Sequence, residues 1–193
     1  MTNVCPICCE CKPKFSRPEE THLIKSRQPF ERMNIDFKGP LPTTNKNRYF
    51  LNIIDEFSRL PFVFSFPDVS RTTVVKCVTT LFSLFGMPVY VHSDRGASFM
   101  SHELRAFLTE KGAAMSRTTG YNPGGNGQVE KFHGTIWKAL TMCLRSKNLP
   151  IQHWQDVLPD VLHSVRSLLC SATNETSHER FLGFSRRRSV LDW

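Results

Sequence analysis

Asp36 closes the run ERMNIDF, Asp94 follows the run VYVHS, and Glu130 opens a helical pattern behind the glycine-bearing loop YNPGGNGQ. Residues 95 to 129, which is 35 positions, separate the second acid from the third. Magnesium and manganese prefer oxygen ligands, so carboxylates rather than thiolates build their sites. Three carboxylates suffice for two ions if one bridges both. Two ions about 4 Å apart can activate an oxygen nucleophile and stabilise a leaving oxygen. The chemistry open to such a set is hydrolysis or transfer at a phosphodiester. A single aspartate at a strand end is more often a cap or a turn former, so the reading depends on the three meeting. Competing acids have ready structural explanations: Asp55 and Glu56 sit at a hairpin, Asp68 precedes a helix cap, and Glu103 and Glu110 lie on a helix. His92 and His133 stand close in sequence to the second and third acids, where polar packing or solvent exposure accounts for them. No nucleophile elbow supports a Ser-His-Asp arrangement, and no phosphate-binding loop of the GxxxxGK type is present.

The elements that must position these acids follow from periodicity. Met33, Ile35 and Phe37 alternate through a strand that begins near Glu31 and ends at the turn Lys38-Gly39-Pro40. YFLNIIDEFS is a second strand, nearly all apolar and so central, and LPFVFSF a third, with residues 55–59 as the connection. Short turns make these an antiparallel meander. A helix N-capped by Ser70 carries Val74, Val78, Leu81, Phe82 and Phe85 and is ended by Gly86 and Pro88. Val89 to His92 is a short strand, parallel to its neighbour because it follows a crossover helix. A helix over 101–111 turns Leu104, Phe107 and Leu108 inward, and a fifth strand spans 113–117.

On the long helix that follows, Val129, Phe132, Ile136, Leu140 and Cys143 share one apolar face. Lys131, Lys138 and Arg145 form a basic stripe at intervals of seven, and Glu130 lies between face and stripe. Such a stripe either tracks a nucleic-acid backbone or is a solvated face. A final helix over 151–169 buries Trp154, Val157, Leu158, Val161, Leu162 and Val165, with a kink or break at Pro159. The order is α/β: a ribonuclease H-like, five-stranded mixed sheet flanked by helices, an architecture that gathers acids from separate elements at one rim.

The 193 residues suit one domain, and 40% hydrophobic residues can bury a core. The formal charge of +8 favours a polyanionic partner, nucleic acid first. No apolar run approaches the ~18 residues of a membrane span, and MTNVCPICCE lacks the order of a signal peptide. A soluble intracellular protein is expected. Four of the seven cysteines (Cys5, Cys8, Cys9, Cys11) crowd the N-terminus. Cys5 and Cys8 have zinc-ligand spacing, but zinc needs four ligands. The segment reads either as half of a zinc site or as a tail with reduced thiols. Cys77, Cys143 and Cys170 sit in apolar helical contexts and read as small buried hydrophobes. Residues 185–189, SRRRS, are a short basic run that touches phosphate or is simply solvated.

IDFKGPLP, VHSDRGASF and YNPGGNGQVEKFHGTI resemble the catalytic core of LTR-retrotransposon and retroviral integrases, closest to the gypsy type, over about residues 30–184. Spacing, flanking motifs and element order agree together. The resemblance implies two magnesium or manganese ions held by Asp36, Asp94 and Glu130, and DNA as substrate for 3′-end processing and strand transfer. It implies DNA-end contacts for Asn126 and Gln128 and a basic contact at Lys131. It implies a homo-oligomer when active and a nuclear location. VCPICCECK looks like the tail of the family's zinc-binding module, with Cys5 and Cys8 as its cysteine pair; the module's histidine pair is unmatched, and so is the small β-barrel that follows the core. The expected division is a remnant of that module or a tail over 1–28, the core over 29–170 and a basic extension over 171–193, in a polyprotein fragment, truncated copy or domesticated gene. Two other readings stand beside it. One is a non-catalytic DNA-binding protein derived from an integrase. The other is a ribonuclease H, whose usual fourth acid has only Asp160 and Asp192 as candidates.

Overall fold

A computed structural model of the chain describes residues 26–117, 127–171 and 173–186. Five strands form one sheet: β1 (Arg32–Lys38), β2 (Tyr49–Asp55), β3 (Pro61–Phe66), β4 (Tyr90–Ser93) and β5 (Ala114–Arg117). Their order is β3-β2-β1-β4-β5. The first three pair antiparallel, and β4 and β5 add in parallel beside β1. The central strand is therefore β1, and the apolar β2 lies next to it.

Side-chain alternation sorts the strands between two cores. On one face Met33, Ile35, Leu51, Ile53 and Val91 pack under α1 (Arg71–Phe85) and α2 (His102–Glu110). On the other, Phe50 packs under α3 (Gly127–Ser146) and α4 (Trp154–Arg166). Ser70 and Ser101 cap α1 and α2, accepting from the backbone N–H groups of Thr73 and Leu104. Ile136, Leu140 and Leu144 bury α3. Each such side chain contributes about 1.5–3 kcal/mol, enough to hold that helix while its first turn stays at the surface. Among the described residues no helix is long and apolar enough to cross a membrane.

The last third of the chain differs from the expected pattern. A single 3-10 turn (Ile151–His153) precedes α4, which runs through Pro159 without interruption and ends at Arg166 rather than Leu169. Leu169 and Cys170 form β6, which pairs with β7 (Glu175–Thr176), so Cys170 is a half-buried strand residue and not a helical one. Then α5 (Ser177–Leu182) begins with a capping box between Thr176 and Glu179 and ends at Gly183, whose φ is 77°. Phe181 of α5 enters the first core, 5.2 Å from Phe85 and 5.5 Å from Phe62 between ring centres.

Gly39 closes β1 three residues after Asp36. Its φ is 142°, and a Cβ there would stand 2.5 Å from Tyr49 Cδ1 and 2.6 Å from the Arg48 carbonyl oxygen. The chain entering β2 at Arg48 and Tyr49 approaches too closely for any side chain, and the Gly39-Pro40 peptide is cis. Gly39→Ala is expected to lower stability by about 2 kcal/mol or more. The denaturant midpoint of the variant checks this; an unchanged midpoint would show that the turn can move aside.

Candidate active site

β1 sends Met33, Ile35 and Phe37 to the α1–α2 core, which leaves Asp36 on the opposite face beneath α3. Its side chain is 16% exposed. The parallel β1–β4 register pairs Ile35 with Ser93, so Asp94, the next residue after β4, follows beside Asp36 at the carboxyl ends of both strands. Asp94 Oδ1 accepts the backbone N–H of Gly96 at 2.8 Å, which fixes the aspartate in a tight turn. A Cβ at position 96 would stand 3.0 Å from that oxygen. Glu130 sits in the first turn of α3 and is exposed. The positive end of the helix dipole favours a carboxylate there, while the apolar residues on either side, Val129 and Ile136, anchor the helix.

The electrostatics tie the three acids together. Burial, then the neighbouring charge of Asp94, and more weakly that of Glu130, push the Asp36 carboxyl up to about 7. The Phe37 N–H, donating to Asp36 Oδ1 at 2.8 Å, and the Lys38 cation pull the other way without offsetting the rise. Like charges converging on one partly buried carboxyl are what a divalent cation relieves. Among the described residues, no group of three or more His, Cys, Asp and Glu is drawn into a ligating cluster. The three acids thus share a field without being in ligating contact. The donor set nonetheless suits magnesium or manganese, since magnesium keeps several waters and takes one or two carboxylates from protein.

His133 lies one helical turn beyond Glu130, and neither solvent exposure nor plain packing describes it. It is 7% exposed, its Nδ1 is 3.5 Å from Asp36 Oδ2, and its ring meets Phe50 edge-on at 5.6 Å. Burial, and then the Lys38 cation, push it down to about 4, so the ring is neutral at pH 7. His92 is a packing residue, buried, with Nδ1 2.9 Å from Ser116 Oγ.

Of the other candidates, Lys131, Lys138 and Arg145 are all exposed on α3. Asn126, Cys5, Cys8 and Asp192 lie outside the described residues, as does the side chain of Gln128. Asp55 has the structural role expected of it: fully buried, it accepts from the N–H groups of Phe30 (2.8 Å) and Ser58 (2.7 Å) at the β2–β3 turn. Asp160 pairs with Lys147 at 2.6 Å on the surface of α4.

A five-stranded mixed sheet between two helical layers, with acids from β1, the end of β4 and the start of α3 at one rim, is a ribonuclease H-like protein. Residues 26–123 match the integrase core domain, and the chain belongs to that family. The matched span contains Asp36 and Asp94; Glu130 lies beyond it. The Pro-Pol polyprotein of simian foamy virus type 3 (strain LK3) is 29% identical over 171 residues, which is 89% of this chain and 14% of that protein. The feline foamy virus Pro-Pol polyprotein is 25% identical over 199 residues, 99% of this chain and 17% of that protein. The chain therefore spans about a sixth or less of the curated relatives it matches. Among solved structures, the simian T-cell lymphotropic virus intasome superposes with a TM-score of 0.77 at 19% identity, covering 95% of this chain and 64% of that one. The HTLV-2 integrase catalytic core in complex with magnesium superposes with a TM-score of 0.64 at 20% identity, covering 80% of this chain and 98% of that one. At such identities the likeness establishes the fold.

Proposed function

We propose that this chain is the core of a metal-dependent polynucleotidyl transferase that processes DNA 3′ ends and joins them to a target duplex, and that it derives from a gypsy-type LTR element. The observation that carries the reading is the convergence on Asp36, whose carboxyl is raised by burial first, then by the charge of Asp94 and more weakly by that of Glu130, from two other elements. Asp36 and Asp94 would hold magnesium or manganese, with Glu130 completing the set. The bound cations would supply an activated oxygen nucleophile and a stabilised leaving oxygen. The two strands supply rigid ligands, and α3 brings a third from a surface position open to DNA.

Lys131, Lys138 and Arg145, exposed on α3, would follow a phosphate backbone, and Asn126 and Gln128 would contact the DNA end. The active form is a homo-oligomer on DNA in the nucleus. The core occupies 29–170, between a zinc-module remnant carrying Cys5 and Cys8 over 1–28 and a basic extension over 171–193.

Glu130→Gln tests the reading. Strand transfer with an LTR-end duplex in magnesium or manganese is expected to fall at least about 10²-fold, with duplex binding unchanged in a gel-shift titration. Equal strand transfer in the variant removes Glu130 from the mechanism. A wild-type chain that binds DNA but turns nothing over with either cation is instead the non-catalytic derivative.

A further inference from the structure

Asn52 lies opposite Asp36 in the antiparallel β1–β2 register. Side chains of such a pair leave the sheet on the same face, with Cβ atoms about 5 Å apart. Asn52 is fully buried, and among the described residues neither its Oδ1 nor its Nδ2 has a hydrogen-bond partner. Its neighbours Leu51, Ile53 and Ile54 are buried and apolar. His133 approaches the same face from α3, with its Nε2 likewise buried and unpartnered and its Nδ1 facing Asp36 Oδ2. Phe50, two residues before Asn52 and on its face, holds that ring edge-on.

A buried amide with both ends unmet weakens a fold, and an apolar side chain of similar size would pack there without that cost. Among the described residues Asn52 caps no helix, closes no turn and joins no side-chain network. What distinguishes it is its place beside a carboxylate. An amide donates a hydrogen bond without carrying charge. A lysine or arginine there would neutralise Asp36 and compete with a cation; an amide orients the carboxylate and leaves its charge available.

We infer that Asn52 is a positioning residue for Asp36: its Nδ2–H, which has no partner among the described residues, would donate to one carboxylate oxygen when a divalent cation is held by the other, and so fix that other oxygen for ligation. The inference rests on the reading of Asp36 as a metal ligand. The full chain tests both through manganese titration followed by electron paramagnetic resonance, together with thermal melting in the absence of metal. Asn52→Leu and Asn52→Val are expected to melt at or above the wild-type temperature, yet to bind manganese about ten-fold to a hundred-fold more weakly. Folded variants that bind manganese as the wild type does overturn the inference. So does a failure of both variants to fold, because the amide is then a structural requirement. Asp36→Asn separates the two claims: if it binds manganese as tightly as the wild type, the reading of Asp36 as a ligand fails, and with it the basis for the inference.

Discussion

Asp36→Asn is expected to raise the melting temperature at pH 7 and to abolish metal-dependent strand transfer. The first effect follows from the direction of its shift. The folded chain holds the carboxyl at about 7, against 3.8 for the free group. A carboxyl raised on folding favours the folded state below the unfolded value, and that contribution is lost as pH rises through 3.8 toward 7. At neutral pH the folded chain therefore bears the cost of the raised carboxyl. The shift of 7 minus 3.8 bounds this at about 4 kcal/mol, and water reaching the carboxyl edge lowers it. Asparagine keeps the shape without the charge, and each recovered kcal/mol is worth about 2–4 °C in a chain of this size. The second effect follows because asparagine offers a divalent cation no charge, and loss of a ligand of this kind is expected to cost at least about 10³-fold in rate. Melting without divalent cations, beside a strand-transfer assay, reads both. A lower melting temperature with activity retained would contradict the assignment on both counts.

Relative to the wild type, the pH dependence of stability should be steep, with opposite signs, in two single variants. Between pH 4 and 6.5 the folded chain keeps a proton on Asp36 that the unfolded chain has given up. Over the same range it refuses a proton on His133 that the unfolded chain accepts, because burial and then Lys38 push that ring from 6.5 to about 4. The first term makes stability fall as pH rises; the second makes it rise. Each is worth about 1.4 kcal/mol per pH unit, and they oppose one another. His133→Asn leaves the Asp36 term, so its stability should fall relative to wild type by about 3 kcal/mol from pH 4 to 6.5. Asp36→Asn leaves the His133 term and should gain by a similar amount. Asp55, also raised by burial, is common to all three chains and drops out of the differences. Urea midpoints at intervals from pH 4 to 8 measure the slopes. Parallel profiles for all three chains would mean that neither group is shifted as described.

The strands and their pairing were legible because apolar alternation and short turns dominate residues 30–66, and the helix cap at Ser70 was legible because its hydroxyl has a specific backbone N–H to satisfy. The segment after Ser171 was not legible from composition. Its polar residues conceal a capping box, Thr176 to Glu179, whose Thr-x-x-Glu spacing was the available signal, and a single phenylalanine, Phe181, that docks the helix. Around the site, the three acids stood out by type and spacing, while His133 and Asn52 did not. Histidine at that spacing fits a packed or an exposed helix position equally well. Asn52 interrupts the apolar run YFLNII at a position whose neighbours two residues away, Phe50 and Ile54, are both buried. That interruption was the signal, but the register that sets it across from Asp36 exists only once the strands have paired.

The alternation along β1 also works as a proofreading device. Asp36 and Phe37 are adjacent, one turned toward α3 and the other into the α1–α2 core, where Phe37 lies 5.3 Å from Phe99 between ring centres. A slip of one residue against β2 or β4 would exchange them, burying a carboxylate among aromatics and lifting a phenylalanine into the acidic rim. A slip of this kind cannot misplace the acid without also breaking the core. One-residue errors of register at the rim are thereby turned into errors of folding, and the packing of Phe37 in the core keeps Asp36 on the α3 side of the sheet.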